Sequence, residues 1–311
     1  MQEITTLVLS SGRSAVELAL FILLPIMIVM LSIMRWLEAK GLLQKIVTAL
    51  TPALRPFGLN GMGIFAMIQV LMVSFAAPIA TLAMMARGGA SDRHIAATFA
   101  MVLALAQANV VFPMASIGLN IPATMAIALM GGLIASSVTY YVFGKNLNNT
   151  ETLTDDLQQQ DGQGDNLLAV IRKAGQDAWD IAMGALPLLV VALVAVKLFT
   201  LTGTIQWIEQ FISPLLSTFG YPGETLILAI TKYVAGGTAM MGLAVESFNQ
   251  GIIDSSDVNL LAGLLLCPLD VAGVAILIAA GKRVSAVAKP AIYGALIGIG
   301  FRIVCHALLF A

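Results

Sequence analysis

Charge is scarce in this chain. Its 311 residues hold 16 Lys+Arg and 17 Asp+Glu, 11% charged in all, where soluble domains carry about 25%. The net charge of −1 supplies no basic field and implies no nucleic-acid partner. There are two cysteines, Cys267 and Cys305, both in apolar runs without metal-ligand spacing. They read as small buried hydrophobes. No Walker A, HExxH or GxSxG motif occurs, which argues against a soluble-type hydrolase or ATPase. The first residues, MQEITTLVLSSGRSAVE, have no basic n-region, so no cleaved signal peptide is expected.

Apolar residues fill the space instead. The chain is 59% hydrophobic with mean hydropathy +0.93. Apolar runs of roughly 20 residues recur along it, the signature of a polytopic helical membrane protein.

The chain also contains itself twice. TPALRPFGLNG at 51–61 matches SPLLSTFGYPG at 213–223 in five of eleven positions. An offset of 162 residues pairs Pro52 with Pro214, Phe57 with Phe219 and Gly41 with Gly203; an offset of 163 pairs Gly131 with Gly294. The reading is repeat one over 1–143, a polar acidic linker over 144–173 and repeat two over 174–311. Each repeat has a first helix (15–34; 178–200), an amphipathic stretch (41–57; 203–219), a long interrupted segment (61–86; 223–248) and two closing helices (95–117 and 120–143; 259–280 and 284–309). Duplicated hydrophobic chains are characteristic of secondary transporters, whose site lies between the repeats.

The interrupted segments set the topology. If 61–86 crosses once, it splits the basic residues between two sides. If it breaks at Ser74-Phe75-Ala76-Ala77-Pro78, each arm has about 12 residues, or roughly 18 Å, enough to reach the midplane and return. Repeat two breaks likewise at Ala235-Gly236-Gly237-Thr238. The fold class expected is therefore all-α: two inverted repeats, each with about three transmembrane helices, an interfacial helix and a re-entrant hairpin. Then Arg35, Lys40, Lys45, Arg55, Arg87, Arg93, Lys145, Arg172, Lys173, Lys282, Arg283 and Lys289 share one side, 12 of the 16 Lys+Arg. Glu209, Asp254 and Asp257 lie on the other. The positive-inside rule puts the basic side in the cytoplasm and the N-terminus outside.

These residues resemble the nucleoside-recognition, or Gate, family. It includes YjiG/YjiH-like and spore-maturation (SpmA/SpmB-like) membrane proteins and is distantly similar to concentrative nucleoside transporters. FGYPGETLILAITKYVAGGTAMMGLAVE and the later LLLCPLDVAGVAILIAAGKR carry the likeness. It implies a transporter-like architecture. Repeat one departs from the pattern at its break, where Phe75-Ala76-Ala77-Pro78 replaces polar residues.

Broken helices free backbone groups at membrane depth, where they can bind solute or ion. The expected solute-binding residues are Ser74, Pro78, Gly236, Gly237 and Thr238 at the hairpin tips, with Gln107, Asn109 and Lys232. Asp270, beside a kink at Pro268, is the expected ion-coupling carboxylate, for H+ or Na+. Lys232 either neutralises Asp270, binds an anionic solute or snorkels. Arg302 and His306 read as interface anchors, with a proton-relay role the alternative for His306. No cofactor, metal site or enzyme chemistry is expected. The partners expected are a small polar solute, membrane lipid and further copies of the chain. The function read from the sequence is an ion-coupled secondary transporter of a nucleoside-like or amine-like solute, in a bacterial inner membrane. The alternatives are a non-transporting scaffold or assembly subunit, and a lipid-linked headgroup flippase.

Overall fold

A computed structural model describes residues 2–150, 167–203 and 225–310; Glu209, Pro214, Phe219 and residues 151–166 lie outside them. The described residues contain helices and connections only. In repeat one they are α1 (Gln2–Glu17), α2 (Leu24–Ala39), α3 (Leu42–Leu54), α4 (Gly61–Met72), α5 (Ile79–Arg87), α6 (Asp92–Ala104), α7 (Ala108–Met114) and α8 (Ile121–Val138). Then follow α9 (Leu167–Leu201), α10 (Thr225–Ala235), α11 (Gly237–Asn249), α12 (Ser255–Leu265), α13 (Val271–Ile278), α14 (Lys282–Ala286) and α15 (Ala288–Phe310).

Local chemistry places the boundaries. Asn60, Ser91 and Asn120 cap α4, α6 and α8, each accepting a backbone N–H of the first turn at 3.0–3.2 Å. Asp254 opens α12 with a reciprocal capping box, which satisfies two otherwise orphaned donors. Between α1 and α2 the helix widens into a π turn over Leu18–Leu23. Pro25 follows directly, and a proline both lacks the N–H and crowds the preceding turn. The repeat-aligned Gly41 and Gly203 both adopt left-handed φ, 64° and 72°.

Two expected helices are broken. The stretch 95–117 parts into α6 and α7 across Leu105-Ala106-Gln107, and 259–280 parts into α12 and α13 across 266–270. The sequence anticipated only a kink at Pro268. The hairpin segments also part where expected: 73–78 separates α4 from α5, and Gly236 separates α10 from α11.

Four helical runs among the described residues are long and apolar enough to cross a membrane: Thr5–Ala39, Asp92–Ile117, Ile121–Phe143 and Ala288–Phe310. The second is the centre of the molecule. Its most apolar stretch is 94% buried, against 24%, 39% and 33% in the others. At its flank α8 crosses α15 at close range. A Cβ on Gly298 would lie 2.3 Å from the Gly131 carbonyl oxygen, and one on Gly294 would lie 2.8 Å from that of Ala135. Small residues let two backbones approach this closely in lipid.

Two apolar cores form, and each joins the repeats. One gathers α4 and α5 with Val274, Leu277 and Ile278 of α13 and Val284 of α14. The other gathers α10 and α11 with Val110, Val111 and Met114 of α7. The far segment of each broken helix thus packs into a core built around the other repeat's hairpin.

The contacts sort the loops into two ends. Arg93 donates to the Lys145 and Gly144 carbonyls, Tyr141 to Pro56 at 2.8 Å, and Arg283 to Asp92 and the Ala86 and Ala90 carbonyls. Arg35 pairs with Asp177. At the opposite end Asn120 N–H donates to Asn259, and Ser256 Oγ donates to Phe310 O at 3.1 Å. Both feet of the α4–α5 hairpin stand at the basic end. α11 runs out toward the other end, beside Asp254 and Asp257.

Candidate functional site

The two broken helices meet at their breaks. Gln107 N–H donates to the Leu266 carbonyl at 3.1 Å, so each unwound strand satisfies a backbone group of the other. The α10–α11 hairpin reaches the same point with its tip. Gly236 sits at φ 89°, ψ 171°, a conformation essentially reserved for glycine. Beside it, a Cβ on Gly237 would lie 2.3 Å from Gln107 Nε2. The amide of Gln107 therefore lies against the Gly237 backbone, and only glycine leaves room for it.

Gln107 and Asn109 are 1% and 5% exposed. Neither Nε2 nor Oε1 of Gln107 has a hydrogen-bond partner, nor does Oδ1 of Asn109. Burying an unpaired amide costs about 1–3 kcal/mol.

Asp270 lies at the head of α13, not within a helix. Its Oδ1 accepts the Gly273 N–H at 2.6 Å and its Oδ2 pairs with the Lys232 ammonium. The two side chains are 0% and 4% exposed. Of the three roles open to Lys232 in sequence, the structure shows the pair with Asp270. Asp270, the expected ion-coupling carboxylate, is paired here with the Lys232 ammonium. The physical reason is reach: Lys232 lies in the last turn of α10, one turn before the tip that abuts Asp270.

The other expected residues divide. Thr238 stands in the first turn of α11 beside this tip. Ser74 and Pro78 lie in the α4–α5 tip, in the first apolar core. That hairpin closes on its own polar groups: Thr81 donates to Gln69 Oε1 at 2.8 Å, and Ser74 N–H to Gln69 O at 3.2 Å.

Arg302 and His306 are a correction. Both are 0% exposed, so they do not anchor an interface. The Arg302 guanidinium donates to Ala104 O, at the end of α6, at 2.6 Å and to Ala262 O in the last turn of α12 at 3.1 Å. Helix C-termini carry orphan carbonyls and the negative end of the dipole. Arg302 thus ties together the two helices just before they break. His306 Nδ1 lies 2.7 Å from the Asn259 carbonyl, and that residue's amide also holds Gly118 O at 2.9 Å. Spacing alone could not find this, because the partners of Arg302 and His306 lie 40 to 198 residues away in sequence.

No family model matches the chain. Over 74 residues it is 31% identical to Spore maturation protein B of Bacillus subtilis (strain 168), a match spanning 24% of this chain and 41% of that protein. The chain thus covers less than half of that relative. Among solved structures, the concentrative nucleoside transporter CNTnw in an inward-facing substrate-bound state superposes with TM-score 0.71 at 15% identity, covering 99% of this chain and 83% of that one. A variant of CNTnw in an outward-facing state gives 0.69 at 15% identity, with the same coverage. The apolar runs and these likenesses together make the chain a membrane protein with the fold of a concentrative nucleoside transporter and a segment of sequence shared with a spore maturation protein.

Proposed function

We propose that this protein is a secondary transporter of a small polar organic solute, nucleoside-like or amine-like, in a bacterial inner membrane. The observation that carries the reading is the unpartnered Gln107 amide, buried where two broken helices and a hairpin tip meet. Asn109 beside it supplies a second open acceptor. Such a site binds by hydrogen bonds to donors and acceptors on a solute, and the tip at Gly236–Gly237 is the element whose movement would expose it. On this reading the two halves are inverted repeats. Alternating access follows as the α4–α5 and α10–α11 hairpins open toward opposite ends. The basic end faces the cytoplasm and the N-terminus faces outward.

A thermal-shift screen of the purified protein against nucleosides, amino acids and amines tests this. A binder at 100 times its Kd stabilises by about 2.7 kcal/mol. Gln107→Met keeps the volume and removes the amide, so it should abolish the shift while leaving the unliganded protein as stable or more so. A shift that survives Gln107→Met would place the site elsewhere. The likeness to Spore maturation protein B keeps one second reading open, a membrane assembly subunit. On that reading no solute class stabilises the protein.

A further inference from the structure

Two charges at the site have no counterpart in the first half. The offset of 162 residues that aligns the hairpins sets Val70 against Lys232, and the alignment of the breaks sets Asn109 against Asp270. The ammonium and the carboxylate are both absent from half one and both present in half two. They are paired there.

The surroundings of the ammonium are those of a cation site. Lys232 lies in the last turn of α10, whose free carbonyls form the negative end of the helix dipole. Asp270 faces it with Oδ2, and the ring of Tyr233 lies 5.7 Å from Nζ. The other oxygen of Asp270, Oδ1, accepts the Gly273 N–H in the first turn of α13 at 2.6 Å. Negative charge, helix C-terminus and aromatic face converge on a position that is fully buried. A free cation placed there would complete the set. The chain puts its own there.

We propose that Lys232 is a tethered cation which permanently fills the cation position made by Asp270, so that the protein does not take up free Na+ at this site. For the role in transport this rests on the transporter reading; the occupancy itself does not. A transporter so built has nothing to gain from a Na+ gradient at Asp270. Removing the side chain should leave a cation-selective vacancy the length of a lysine stem, fit for Na+ with water or for a short alkylammonium.

The test reads binding, not transport. Unfolding midpoints are measured for the detergent-solubilised protein in NaCl, KCl and choline chloride of equal ionic strength, and with n-butylammonium chloride. The wild-type protein should show the same midpoint in all. Lys232→Ala should unfold at a lower temperature in choline and recover part of the loss in Na+ or n-butylammonium. Lys232→Ala/Asp270→Asn should lose that recovery. Where Lys232→Ala cannot be purified, Lys232→Gln takes its place. A Na+-specific rise in the wild-type protein that Asp270→Asn removes would overturn the proposal. So would a folded Lys232 variant that responds to none of the cations. Failure of the transporter reading would leave these midpoints unchanged, so the two outcomes stay distinct.

Discussion

The two hairpins share a plan and differ in chemistry. The α4–α5 tip is six residues long, runs through Ala76, Ala77 and Pro78, and closes on its own Gln69–Thr81 bond at 2.8 Å. The α10–α11 tip is one glycine at φ 89°, and it is locked to a neighbouring broken helix by a buried ion pair. The broken helices repeat the contrast, with amides in one break and a proline and carboxylate in the other. The two halves share backbone breaks because each one needs only small residues and a partner strand. The side chains differ, because a backbone break does not dictate the chemistry of the residues that flank it. Here half one supplies neutral hydrogen-bonding groups and half two supplies the charge.

The contrast can be broken most severely at the ion pair. Asp270→Asn leaves the Lys232 ammonium buried alone, and one-sided loss of a buried pair costs about 3–5 kcal/mol. Asp270→Asn/Lys232→Met should recover most of it in chemical or thermal unfolding. Asn109→Leu, the matched position in half one, should cost little or stabilise. Equal losses at both positions would erase the distinction between the halves.

The tips come next. Ala at Gly236 meets nothing closer than 4.0 Å, so its cost is conformational, about 1–3 kcal/mol for a residue forced into a glycine-only region. Ala76→Gly in the other tip should shift stability by less than about 1 kcal/mol. Unfolding midpoints of the two variants, measured side by side, decide whether the second tip is the constrained one.

The smallest effect belongs to the ion pair that crosses between the halves at the basic end. Arg283 and Asp92 lie 2.6 Å apart with side chains 39% and 32% exposed. Exposed pairs contribute about 0.2–1 kcal/mol, and salt screens them. Asp92→Asn should cost that much at low ionic strength and less at high. A larger loss, insensitive to salt, would show that the carbonyl bonds of Arg283 to Ala86 and Ala90 depend on the carboxylate.

Much of the architecture was legible in the residues. Hydropathy marked the helices, and the aligned Gly41 and Gly203 marked equivalent turns that share a left-handed conformation. Ser74–Pro78 and Gly236 marked two breaks, because small residues and proline inside apolar runs weaken a helix wherever it lies. The break at 105–107 was not legible. Leu-Ala-Gln is a good helical sequence, and it unwinds only because its backbone finds Leu266 and because Arg302 takes the carbonyl left at Ala104. Arg302 read as an anchor for the same reason: a long cation near a helix end looks alike whether it reaches lipid headgroups or two buried carbonyls.

The sequence by itself determined an all-helical membrane chain, two similar short segments around Gly58 and Gly220, and the presence of Gln107, Asn109, Lys232 and Asp270 in apolar surroundings. Those properties follow from composition and short-range periodicity, which are local. Only the tertiary structure decided that Lys232 and Asp270 neutralise each other while Gln107 stays unpartnered. Hydrogen-bond and charge satisfaction depend on groups 38 to 198 residues apart, and a few ångströms of packing separate a free carboxylate from one already occupied.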